Sequence, residues 1–186
     1  MKIQRSNFIK SLLGFSIFSP IVASATVKSN LVLEASKMRS GIIDALDKSK
    51  AMTLSIIEQM PDEFFGFKYT PEAMSFAEQF RHCAVYSFSQ FAGRIGVKNP
   101  FEGKKPKVLL NKQETIDITN VLYDTLSTWA SEISEEKLMS DIEFSGENIP
   151  AWRFFYAMEN HIIHHRGQAI VYLRLKGIKP NGYFGW

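Results

Sequence analysis

A chain of 186 residues, 45% apolar and 22% charged, can close one hydrophobic core, and its composition excludes a disordered, collagen-like or disulfide-stapled protein. Its 22 basic and 19 acidic residues give a formal charge of +3, but Lys2, Arg5 and Lys10 fall in the first 25 residues, which hold no acid, so the remainder carries 19 of each sign. The calculated pI of 8.9 is thus a property of the N-terminus, and the nucleic-acid partner that a basic protein invites is not expected.

The N-terminus reads as a cleavable signal peptide over residues 1–25. A basic start is followed by a mostly apolar stretch from Ser11 to Ala23 and by the small residues Ala23-Ser24-Ala25 that a signal peptidase needs. Ser16, Ser19 and Pro20 interrupt the apolar run, which falls short of the roughly 20 residues of a spanning helix, so no stable membrane span is expected after cleavage. Arg5-Ser6-Asn7-Phe8-Ile9-Lys10 is similar to a twin-arginine export signal, with Ser6 where the second arginine would stand. The expected product is an exported protein, periplasmic or secreted, with one domain over residues 26–186.

Beyond Ala25 the pattern predicts four helices and no convincing strand. The first runs approximately from Leu33 to Met60, where Ile42, Ile43, Leu46, Met52, Leu54, Ile56 and Ile57 keep a spacing near 3.6, and Pro61 stops it. The second opens at Ser75, which with Glu78 makes a capping box, and continues to about Gly96. It carries Cys83, the single cysteine, which excludes an internal disulfide and reads as a small buried hydrophobe. The third opens at Asn111, followed by Glu114, and carries Ile116, Ile118, Val121, Leu122, Leu126 and Trp129. The fourth follows Pro150 and ends at Gly177, a residue suited to a left-handed cap. With no sheet to pack on, an all-α four-helix bundle satisfies these apolar faces best, with long connections over 61–74, 97–110 and 133–149.

The chemistry concentrates in Asn160-His161-Ile162-Ile163-His164-His165-Arg166-Gly167-Gln168, which holds three of the four histidines. Residues at i and i+4 are stacked neighbours on a helix, so His161 and His165 can point two ring nitrogens at one metal ion. With His161 at zero on a helical wheel, Phe154, Met158, Ile162, Ala169 and Tyr172 cluster between about 20° and 100°, His165 falls among them at about 40°, and His164 lies near −60° with Arg153, Asn160 and Gly167. The bland alternative is a pair of hydrogen-bonded core histidines. Around His82 the second helix shows a stripe of Ser75, Gln79, Tyr86, Ser89 and Gly93, opposite Phe80, Phe88, Phe91 and Ile95. That stripe suits a solvated face or, since it bears no charge, the wall of a wet cavity; periodicity leaves both open.

At these residues the chain resembles the DinB-like (DinB/YfiT-like) family of metalloenzymes. The likeness lies in Phe67-Lys68-Tyr69-Thr70-Pro71 before Ser75-Phe76-Ala77-Glu78-Gln79-Phe80-Arg81-His82, and in His161-Ile162-Ile163-His164-His165-Arg166-Gly167-Gln168 followed by Tyr172-Leu173-Arg174 and Gly177. It spans about residues 34–186, with the second motif the more specific. The resemblance implies a four-helix bundle, often a homodimer, with a divalent metal held by one histidine of the second helix and the H-x-x-x-H of the fourth. Those roles fall on His82, His161 and His165, with His164 a neighbour and not a ligand.

Three neutral imidazoles leave a divalent ion an open position, as in catalytic sites, and both zinc and nickel suit imidazole. Gln168, near −20° on the wheel, and Tyr86 are candidates to line such a site, and Glu78 is a candidate general base by position; interior hydrogen bonding and capping are their plainer roles. The expectation is a metal-dependent hydrolase or thiol transferase acting on a small molecule. The alternative is a non-catalytic bundle that binds metal and a small ligand, and a purely structural bundle stands third.

Overall fold

The computed structural model describes residues 20–185, with side chains from residue 29 onward. The first 19 residues of the expected signal peptide therefore lie outside the described part. Among the described residues there are five helices and one hairpin, in the order α1 (Pro20–Gln59), α2 (Phe76–Ile95), α3 (Lys112–Glu132), α4 (Glu135–Met139), β1 (Asp141–Phe144), β2 (Glu147–Pro150) and α5 (Ala151–Leu175). A short 3-10 turn at Asp62–Phe64 follows α1. No helix among the described residues is long and apolar enough to cross a membrane.

The four long helices pack in a closed cycle, α1 on α3, α3 on α2, α2 on α5 and α5 on α1. Each contributes one apolar stripe at helical spacing: Ile42, Leu46, Ile56 and Ile57 from α1; Phe80, Ala84, Phe88 and Phe91 from α2; Ile118, Leu122 and Leu126 from α3; Phe154, Met158, Ile162, Ala169 and Leu173 from α5. Helix α1 starts earlier than the expected Leu33. Nothing from Pro20 on breaks a helix, but residues 29–34 are exposed and burial begins at Ala35, which is where the periodicity becomes visible.

Both expected capping boxes form. The Ser75 hydroxyl accepts from Glu78 N at 3.2 Å while the Glu78 carboxylate accepts from Ser75 N at 2.7 Å, and Asn111 with Glu114 repeats the exchange at 2.9 Å each way. Gly96 and Gly177 take the left-handed conformation just past α2 and α5. Since the Ser75 cap sets where α2 begins, Ser75→Ala is expected to lower stability by about 1 kcal/mol in urea unfolding.

The connection before α5 differs from expectation. In place of an irregular loop over 133–149 there are α4 and a two-stranded antiparallel hairpin, pairing Asp141 with Pro150 and Ile142 with Ile149. Each strand has four residues and buries one, Ile142 or Ile149, too little alternation to register as period two. Its turn, Ser145-Gly146, has both residues at positive φ, 56° and 83°, the mirror-image geometry that a two-residue hairpin favours. Arg39 of α1 secures the start of this segment by donating to Ala130 O (3.1 Å), Ile133 O (2.6 Å) and Glu135 (3.2 Å), so its cation satisfies carbonyls at the end of α3.

A buried polar network lies between α1, α3 and α5. Arg166 Nη1 donates to Ser49 O (3.2 Å), Ser49 Oγ (2.6 Å) and Thr53 Oγ1 (3.1 Å), and the Tyr123 hydroxyl meets both Oγ1 of Thr53 and Oγ of Ser49 at 2.9 Å. Burial pushes the Glu159 carboxyl up to about 7, against the opposing pull of Ser49 and Arg166. Cys83 is buried as expected, and the same desolvation raises its thiol pKa.

Candidate metal centre

Helix α5 positions two histidines through its own core stripe. Met158, Ile162, Ala169 and Tyr172 are buried against the other helices, and His161 and His165 lie along one edge of that stripe, His165 buried and His161 half-buried. His164 turns outward and is exposed, accepting a hydrogen bond from Gln168 Nε2 at 2.7 Å. Helix α2 crosses this edge with Gln79, His82 and Tyr86 facing α5, so His82 points toward the pair, while Ser89 and Gly93 farther along the stripe are exposed. The first half of the stripe is thus the wall of a polar site and the second half is solvated surface, so each of the two open readings holds for part of it.

The three Nε2 atoms converge. His161 Nε2 is 3.1 Å from His165 Nε2 and 3.3 Å from His82 Nε2. Ring centroids are 4.6, 5.1 and 4.7 Å apart for His161–His165, His82–His161 and His82–His165. Among the described residues, this is the group of metal-ligating side chains whose donor atoms all fall within 4.8 Å of one another. Imidazole nitrogens about 2.0–2.1 Å from a shared zinc sit about 2.9–3.4 Å from one another, depending on whether the angles are right or tetrahedral. Both spacings from His161 lie inside that interval and the third pair falls within 4.8 Å, so these residues can hold a divalent ion.

Electrostatics favour the neutral, ligand-competent form of all three rings. Desolvation brings His161 and His165 down to about 4, with neighbouring imidazoles adding to the effect. Burial, then the nearby Arg81 cation, also lowers His82. His161 Nδ1 is buried without a hydrogen-bond partner. One proton on His161 Nε2 can bridge to one neighbour, whereas three lone pairs turned on one point repel unless a cation lies between them.

Tyr86, one turn beyond His82, forms a side wall. Its ring stacks on His82 at 5.6 Å with 23° between planes and lies 4.6 Å from His161. Glu78 is held elsewhere, by its Ser75 cap and by Lys68 Nζ at 3.1 Å; the Ser75 backbone hydrogen bond chiefly depresses its pKa and keeps it an anion. Gln168 pairs with His164 on the outer side of α5, away from the three converging nitrogens. Among the described residues no carboxylate joins the cluster, and Glu159 lies near Ser49 of α1.

Gln79 is the contributor to which the sequence attached no role. It is 1% exposed, and its Oε1 lies 2.5 Å from His165 Nδ1. Its place on the uncharged stripe, three residues before His82, was the one available signal.

The sequence profile of the DinB superfamily matches residues 45–169. No curated protein matches the chain. Crystal structures that share the fold include two DinB-like proteins. One, a DinB-like protein from Bacillus cereus ATCC 10987, is 22% identical with a TM-score of 0.64, covering 78% of this chain and 97% of its own. The other, the DinB-like protein YjoA from Bacillus subtilis, is 21% identical with a TM-score of 0.62, covering 78% and 99%.

Proposed function

The chain belongs to the DinB superfamily, and on that premise we propose that it is a four-helix-bundle metalloprotein holding one divalent ion, zinc or nickel, through His82, His161 and His165, and acting on a small molecule as a hydrolase or transferase. The observation that carries this reading is the approach of three desolvated Nε2 atoms, at 3.1 and 3.3 Å, from two helices 79 residues apart in sequence. A bound ion of this kind supplies Lewis acidity, lowers the pKa of bound water toward about 7, or holds a thiol as thiolate. The chain's own residues supply the rest: three rings kept neutral by burial, a Tyr86 wall over two of them, and an orienting contact on His165.

A second reading, a bundle that binds metal and a small ligand without turnover, draws on one specific observation. Among the described residues the cluster contains no carboxylate, and Glu78, the nearest candidate base on α2 by sequence, is engaged by Ser75 and Lys68. We further propose export through residues 1–25, with a mature chain over 26–186 that pairs as a homodimer. Cell fractionation and sedimentation of the mature protein test those two points.

Metal analysis of the purified mature protein is expected to find about one divalent ion per chain. A panel of ester, amide and thiol-transfer substrates, run with and without chelator, then separates the two readings. Chelator-sensitive turnover supports the enzyme, its absence across the panel supports the binding module, and no bound metal at all sinks both.

A further inference from the structure

A chain of buried hydrogen bonds runs from the backbone of the loop before α2 into the candidate metal centre. Its far end is the carbonyl of Met74, which can only accept, and the Tyr172 hydroxyl donates to it. With its proton so committed, the Tyr172 oxygen can only accept, and the Gln79 side chain lies near enough to oppose the rise that burial gives the Tyr172 pKa, as a donor to that oxygen would. Gln79 therefore turns its NH₂ toward Tyr172 and its Oε1 toward His165, where Oε1 and Nδ1 lie 2.5 Å apart. An amide oxygen has no proton to give, so Nδ1 carries the hydrogen. In a neutral imidazole that leaves the lone pair on Nε2, the atom facing His161.

We propose that Gln79 is a positioning residue that fixes the tautomer of His165, so that Nε2 is the nitrogen free to bind a metal, and that the Tyr172 to Met74 contact fixes which end of the Gln79 amide faces the ring. The metal clause rests on the reading of the three histidines as a metal site; the tautomer clause does not. The residues are buried, Gln79 at 1%, Tyr172 at 0% and His165 at 7% exposed, so a wrongly paired donor or acceptor here carries a desolvation cost. Turning the amide over would set its NH₂ against His165 and its oxygen against a hydroxyl whose proton is already used. The hydrogen would then move to Nε2, and the ligand would be lost.

The direct test is nitrogen-15 NMR of the imidazoles in the metal-free full-length mature protein. Wild-type His165 is expected to show a protonated Nδ1 and an unprotonated Nε2. Gln79→Met, close in length but without acceptor or donor, is expected to shift His165 toward the Nε2-protonated form and to weaken Zn²⁺ binding about 10- to 100-fold in competition with a chromophoric chelator. Gln79→Glu, which keeps an oxygen on Nδ1, is expected to retain the wild-type tautomer, and Tyr172→Phe to give a mixture of both. A wild-type His165 protonated on Nε2 would overturn the proposal, even where Gln79→Met fails to fold. Unchanged tautomer and unchanged Zn²⁺ affinity in a folded Gln79→Met would do so too. A wild type that holds the Nδ1 tautomer but binds no Zn²⁺ would support the tautomer assignment and overturn its metal clause along with the metal reading.

Discussion

His165→Ala is expected to lower zinc affinity by well over 100-fold, while His164→Ala, one residue away, leaves it within about threefold. Loss of a supporting partner around a metal typically costs about 10- to 100-fold, and loss of a ligand should exceed that. The two imidazoles differ only in where a 100° step around α5 sends them. His165 is buried with Nε2 at 3.1 Å from His161, whereas His164 is exposed and takes the Gln168 amide at 2.7 Å. Calorimetric titration of Zn²⁺ into each variant measures the difference, with His82→Ala and His161→Ala expected to resemble His165→Ala. An equal loss in His164→Ala would show that an outer imidazole is a ligand and that the convergence of the other three is a packing feature.

Arg166→Met is expected to destabilise the fold by about 1–3 kcal/mol, the cost of leaving buried acceptors without their donor. Arg166 is 7% exposed and serves three acceptors on α1, two of which also share the Tyr123 hydroxyl. Methionine fills much of the volume but leaves those acceptors short of a donor and Glu159 without its nearby cation. Urea unfolding of the metal-free protein gives the number. Adding Glu159→Gln is expected to restore part of the loss, because the carboxyl, already raised to about 7 beside Arg166, then need not take up a proton once that cation is gone. A loss below about 1 kcal/mol would mean that the network contributes little beyond what a packed apolar side chain supplies.

Much of the architecture is legible in local sequence. The boxes at Ser75 and Asn111 mark helix starts because a capping side chain and its N3 acid lie within one turn of each other. The buried face of α5 follows from its period, and the same wheel turns His164 outward. The hairpin escaped notice because two four-residue strands with one buried residue each carry almost no periodic signal. Tyr86 lines the cluster, while Glu78 and Gln168 have their partners elsewhere, and nothing in the wheel distinguishes the three. Each lies at the right angle, and the difference is made by Lys68, His164 and the packing of α2 on α5.

The sequence by itself determined the four long helices apart from the start of α1, the caps of α2 and α3, and the shared face of His161 and His165, because all of these depend on contacts within about one helical turn. Tertiary structure decided what the second helix does with its polar stripe. Periodicity says which residues of a helix share a face but not which neighbour that face meets. His82 reaches His161 across 79 residues, Gln79 reaches His165 across 86 and Tyr172 reaches Met74 across 98. Whether a neutral polar stripe is wet surface or the inner wall of a site is settled by desolvation and partner geometry, and both exist only once α2 and α5 are packed together.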